Sequence, residues 1–243
     1  MRPSLDSALT RFESALAEFR ANKDLSGQAW VTDLKANLCL AQGKLDEAER
    51  LHQAAIDLER EKDLTPLASA WNDYHLANVE LARGYWEKAR GGFTKAVAAF
   101  ERLGDVLGVV STSIHLGEIA CELKDYAKAE SCILKAMRLV IPTQCKPLLA
   151  DALTGLARLH MVKGEHQKAL GTLMFVHSHP NCRQQTRDRM LSLAKALDAR
   201  FSEKEVKDGF TWAKPITMEE MAAAWVRSLT PPPRRKKKAN RFV

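Results

Sequence analysis

Four short stretches decide the fold: GKLDEA (43–48), GYWEKA (84–89), KDYAKA (124–129) and GEHQKA (164–169). Their starts lie 41, 40 and 40 residues apart, and each ends in alanine, at Ala48, Ala89, Ala129 and Ala169. A second lane of small residues, Ala36, Ala77, Gly117 and Ala157, runs twelve positions upstream of these alanines. A third, Ala55, Ala96, Ala136 and Val176, lies seven positions downstream, with the larger His52, Phe93, Ile133 and Leu173 in between. Each unit therefore reads as two helices joined by a tight turn. The small residues let the helices approach, and one bulky side chain fills the gap.

Gly43, Gly84 and Gly164 close helix-period runs and suit a left-handed helix end. Lys124 takes that place in the third unit, where the following Asp125 is expected to relax the turn. The chain shows no alternating strand pattern and has only 12 glycines, so an all-α chain is expected.

This lane pattern resembles the tetratricopeptide repeat over residues 28–177, as four units of about 40 residues where about 34 is usual. The resemblance implies a right-handed superhelical solenoid of antiparallel helix pairs. The longer unit resembles the repeat arrays of large bacterial regulators of the LuxR and SARP classes. Trp212, Thr217, Glu219, Glu220 and Ala222–Ala224 also match a segment near the end of those regulators, while Pro215 and a shorter turn depart from it. The expected organisation is an N-terminal half repeat over 1–22, four repeats over 23–180, a helical cap over 181–230 and a disordered basic tail over 231–243. In the half repeat, Leu5, Ala8, Phe12 and Ala15 fall on the lanes of Leu45, Ala48, His52 and Ala55. Its apolar residues Leu5, Leu9, Phe12, Leu16 and Phe19 either form a self-association face or pack on the first full unit.

The formal charge of the 243-residue chain is +7, from 37 Lys+Arg and 30 Asp+Glu. The last thirteen residues, PPPRRKKKANRFV, hold Arg234, Arg235, Lys236, Lys237, Lys238 and Arg241 and no acid. The body without them is +1, with 31 basic and 30 acidic residues, so a strongly basic nucleic-acid-binding body is excluded. The tail reads as a solvated end, as an electrostatic attachment to nucleic acid or an anionic membrane, or as an import signal in a eukaryote. No apolar run approaches the roughly 18–20 residues of a membrane span. Five cysteines without a C-x-x-C spacing point to a reducing cytoplasm rather than a disulfide framework.

Catalytic signatures are missing from the sequence: there is no H-E-x-x-H, no G-x-S-x-G and no phosphate loop. The expectation is a protein that is not an enzyme and holds no metal or other cofactor. The most metal-like stretch, His177-Ser178-His179-Pro180-Asn181-Cys182, lacks a fourth ligand and reads as a loop. His75 and His115 share one repeat position, which favours packing. Cys121 and Cys132 read as core residues, and Glu219 and Glu220 as first-turn acids suited to the helix dipole.

What the resemblance implies for binding lies on the first helix of each unit, at the second, fifth and ninth positions. The second are Trp30, Trp71, Ser111 and Asp151; the fifth Asp33, Tyr74, Ile114 and Thr154; the ninth Asn37, Asn78, Glu118 and Arg158. Asparagine amides suit the main chain of an extended peptide, and Trp30, Trp71 and Tyr74 supply apolar area. A carboxylate clamp needs Lys or Arg at the fifth and ninth positions, and only Arg158 provides one. The alternative for Trp30 and Trp71 is burial against a neighbouring repeat. The expected function is a cytoplasmic protein- or peptide-binding module in bacterial signalling or transcriptional regulation. The alternative is a nucleic-acid-associated regulator that uses its tail.

Overall fold

A computed structural model describes residues 5–61, 65–177, 182–198 and 217–229. Among the described residues eleven α-helices occur: α1 (Leu5–Ala21), α2 (Leu25–Ala41), α3 (Leu45–Arg60), α4 (Pro66–Ala82), α5 (Trp86–Leu103), α6 (Val106–Glu122), α7 (Tyr126–Val140), α8 (Lys146–Val162), α9 (His166–His177), α10 (Gln184–Asp198) and α11 (Met218–Leu229). A short 3-10 turn, Ile141–Thr143, joins α7 to α8. The pairs α2–α3, α4–α5, α6–α7 and α8–α9 are the four units, and each packs on the next. The chain is an all-α solenoid.

The alanine lanes explain the close packing. Ala36, Ala48, Ala89, Ala96, Ala129, Ala136 and Ala169 are all fully buried, as are Phe93 and Ile133 between them. At Gly117 an added Cβ would meet Ile133 Cγ1 at 2.8 Å, so only hydrogen fits. Removing a bulky member of such a lane, as in Phe93→Ala, costs about 3–5 kcal/mol.

The turns differ from the expectation at one place. Gly43, Gly84 and Gly164 have φ near +75° (75°, 78° and 78°), and Lys124 adopts φ 61° at the equivalent position. The backbone therefore does not relax around Lys124. Asp125 N–H donates to the Ala120 carbonyl at 2.8 Å, as Tyr85 N–H does to Glu80 at 2.9 Å. The Asp125 carboxylate instead caps α7, accepting from Lys128 N–H at 3.0 Å.

A device repeats in alternate units. Asp24 caps α2 through Gly27 N–H, and Asp105 caps α6 through Gly108 N–H. The rings of Phe19 and Phe100 lie on Gly27 and Gly108, where an added Cβ would come within 2.3 Å and 2.5 Å. Leu16 of the N-terminal half repeat is buried, and Phe19 packs against α2, so part of its apolar face lies on the first full unit.

At the other end, Thr217 and Glu220 form the expected capping box: Thr217 N–H donates to Glu220 Oε2 at 2.7 Å and Glu220 N–H to Thr217 Oγ1 at 3.1 Å. The helix they start buries Met218, Met221, Ala222 and Trp225 against α7 and α8. Trp212, Pro215 and the basic tail lie outside the described residues. Among the described residues, no helix is long and apolar enough to cross a membrane.

Candidate partner-binding lane

The lane of second, fifth and ninth positions divides into two halves with different surroundings. In the half formed by α2 and α4, Trp30 is 62% exposed while Trp71 is half-buried, its ring 4.7 Å from that of Phe100. The sequence explains the difference. The residue 41 positions before Phe100 is Glu59, so the first unit has no ring to receive Trp30. Trp71 thus packs on Phe100 of α5, within its own unit rather than on a neighbouring repeat, and Trp30 has no such ring to receive it.

Asp33 lies between three helices. Its Oδ1 accepts from His52 Nδ1 on α3 at 2.8 Å, and its Oδ2 lies 3.3 Å from His75 Nε2 on α4. Burial alone pushes this carboxyl up, but the hydrogen bond from His52, the nearby His75 and the Asn37 amide carry it below the usual carboxylate range. The imidazoles of His52 and His75 stack with centroids 5.0 Å apart. Burial pushes the His75 pKa down to about 4, so this ring is neutral at pH 7.

The two asparagines behave alike. Asn37 Nδ2 donates to the Asp33 carbonyl at 3.1 Å, and Asn78 Nδ2 to the Tyr74 carbonyl at 3.1 Å. Asn37 also donates to Asp33 Oδ2 at 3.0 Å. Each amide nitrogen is turned toward its own helix, so the oxygen is the natural contact for a peptide N–H.

From Tyr74 onward the lane is covered by the chain itself. Tyr74 O–H donates to His115 Nε2 at 3.2 Å, and His115 Nδ1–H donates to Glu118 Oε2 at 3.1 Å. Burial holds Tyr74 above its usual pKa and pushes His115 down to about 3, which fits this neutral tautomer. Glu118 is buried and pairs with Arg189 of α10. Asp151 accepts a hydrogen bond from Thr186 Oγ1, and Arg183 approaches it at 3.9 Å. Burial raises the Asp151 pKa, with the Thr186 hydrogen bond and Arg183 opposing. A gap of about 70 Å³ remains beneath α10, lined by Tyr74, Ser111, Ile114, His115, Asp151 and Arg189 among others. Ile114, expected to face a partner, is 2% exposed, and Arg158 is engaged with Glu122 on α6.

Two groupings lay outside the expectation from sequence. One is the docking of α10 on the inner lane, to which Arg183, Thr186 and Arg189 contribute. The other is the Asp33, His52 and His75 cluster, the one group of three metal-ligand side chains found together among the described residues. The stretch singled out from sequence contributes differently. His177 ends α9, buried Cys182 lies 3.8 Å from Met190 through their sulfurs, and residues 178–181 lie outside the described residues. Cys121 is buried, which pushes its thiol up to about 11, in keeping with a core role.

Residues 32–64, from the middle of α2 to just beyond α3, match the tetratricopeptide repeat. No curated protein matches the chain in sequence. Among solved structures the chain is similar to BtubC (BKLC) from P. vanneervenii, with a TM-score of 0.60 and 17% identity over 96% of each chain. At that identity the likeness concerns the fold.

Proposed function

We propose that this tetratricopeptide-like solenoid is a cytoplasmic, non-enzymatic module of bacterial signalling or transcriptional regulation. It takes a protein or peptide segment on the inner lane of its first helices, at the half around Trp30, Asp33 and Asn37, where Trp30 is exposed. Repeats of this type generally mediate protein–protein interaction, which supports a binding role. The observation that carries the reading is the placement of α10. Helix α10, with Thr186 and Arg189 on it and Arg183 just before it, already lies on Glu118 and Asp151, so this lane is chemically suited to a helical segment bearing arginines. The half around Trp30, Asp33 and Asn37 continues the same lane, with an acid, an amide and an exposed indole.

The regulatory setting is supported by the resemblance of the Thr217–Ala224 segment to the end of LuxR- and SARP-class regulators, in which the Thr217–Glu220 capping box forms. A peptide library displayed against the full chain tests the preferred ligand. Enriched sequences are expected to combine Lys or Arg with an aromatic or apolar anchor. Enrichment of acidic sequences, or of none, would remove the acidic lane as the binding surface.

A second reading rests on the charge of the last thirteen residues, which hold six of the basic side chains. Attachment to nucleic acid through them predicts binding that falls steeply with salt and disappears on deletion of residues 231–243. Binding that survives both treatments would contradict it.

A further inference from the structure

We propose that Asp33, His52 and His75 form a binding site for a divalent transition-metal ion of the zinc type. Three helices, α2, α3 and α4, each supply one side chain, and the donor atoms all lie within 4.8 Å of one another. Of the two nitrogen–oxygen separations, 3.3 Å from His75 matches the spacing that a bound ion requires, and 2.8 Å from His52 is about half an ångström short of it. Tetrahedral zinc with bonds of about 2.0–2.1 Å holds neighbouring ligand atoms about 3.3 Å apart. The two rings are stacked 16° from parallel, so bringing both lone pairs onto one ion requires them to turn toward each other.

An ion here would take His52 Nδ1 and His75 Nε2, the two nitrogens that already face Asp33, and each ring would keep its proton on the outer nitrogen. The carboxylate is also oriented: Asn37 Nδ2 donates to Asp33 Oδ2 at 3.0 Å, the kind of support that fixes a ligand for metal. His52 is 1% exposed, whereas Asp33 and His75 are 23% and 16% exposed, so the ion enters from the side of those two residues.

Two imidazoles with one carboxylate select zinc, nickel, cobalt or copper over calcium or magnesium, which take oxygen ligands. Three protein ligands leave a coordination position for water or for a side chain of a bound partner. The cluster is distinct from the His177–Cys182 stretch, which offers a thiol where this one offers a carboxylate.

The test uses the full chain, reduced and stripped of metal with a chelator. Zn2+ is titrated by calorimetry and Co2+ by visible absorption. The expected result is one ion per chain at micromolar affinity or tighter, with cobalt d–d bands and no thiolate charge-transfer band. Asp33→Asn preserves the shape of the side chain and is expected to weaken binding about 100-fold or more, beyond the 10–100-fold typical of supporting residues. His52→Ala with His75→Ala is expected to abolish binding, while His177→Ala leaves it unchanged. Circular dichroism confirms the helical fold of each variant; if the double histidine variant unfolds, Asp33→Asn decides alone. Failure to bind Zn2+, a thiolate band, or wild-type affinity in Asp33→Asn would overturn the proposal.

Discussion

Arg189 on α10 pairs with Glu118 on α6, and this contact ties the C-terminal helices to the middle of the repeat array. Glu118 is buried, and burial also holds the Arg189 guanidinium below its usual pKa. Removing one partner leaves the other carrying a poorly compensated charge. Arg189→Ala is expected to lower stability by about 2–3 kcal/mol, less than a fully buried pair because Arg189 is partly exposed. Hydrogen exchange over residues 184–198 should rise more than exchange in α4 or α5. Unchanged protection of α10 would show that Met190 and its apolar neighbours alone hold it.

Acid should loosen the same region. His115 meets Tyr74, Phe93 and Glu118 and feels the charges of Arg189 and Asp151; burial chiefly sets its pKa at about 3, against 6.5 ordinarily. The unfolded chain gains a proton at this ring below pH 6.5 while the folded chain stays neutral until about 3. The unfolded state then binds more protons, so stability falls as pH drops through that window, by about 1.4 kcal/mol per pH unit. Denaturant unfolding at pH 7 and pH 4.5 should differ by about 2–3 kcal/mol through this group. In His115→Gln that contribution should vanish, and an equally steep profile there would assign the slope to other groups.

The array's periodicity was legible because every unit repeats it: the small residues, the bulky filler and the turn recur every 40 or 41 residues. The capping box at Thr217 and Glu220 was legible for a different reason, since both partners lie within one helical turn. The Phe–Asp–Gly device was also present in the sequence, as Phe19, Asp24 and Gly27 and again 81 residues later as Phe100, Asp105 and Gly108. A search at a period of one unit passes over it, because it recurs every second unit. The docking of α10 and the Asp33–His52–His75 cluster were not legible. Both depend on which faces of distant helices meet, and no spacing along the chain encodes that.

The turn at Lys124 offers a direct test of the repeat logic. It holds φ 61° where three other units have glycine. A left-handed conformation costs a side-chain-bearing residue about 1–2 kcal/mol, and glycine gives back part of this through the entropy of the unfolded chain. Lys124→Gly is therefore expected to stabilise by about 0.5–1 kcal/mol in thermal or denaturant unfolding. Destabilisation would mean that the lysine side chain makes a contact worth more than the strain.

Glycine has the opposite meaning at Gly108. Alanine there would gain about 1 kcal/mol of helix propensity, yet its Cβ would enter the Phe100 ring at 2.5 Å. Overpacking of this kind costs about 1–3 kcal/mol or more, so Gly108→Ala is expected to destabilise. A stabilised variant would show that the Phe100 ring can move aside without loss.

The central claim is that partners bind along the inner lane, and Trp30 is its most direct probe because it is 62% exposed there. The measurement is the affinity of a peptide selected against the full chain, compared between wild type, Trp30→Ala and Tyr85→Ala, the last an aromatic 52% exposed at the start of α5. Truncating a binding hot spot costs about 2 kcal/mol, or roughly 30-fold in Kd. Trp30→Ala should weaken binding by about that factor, while Tyr85→Ala leaves it within about twofold. Affinity unchanged by Trp30→Ala but lost with Tyr85→Ala would place the partner on another face of the solenoid and contradict the account.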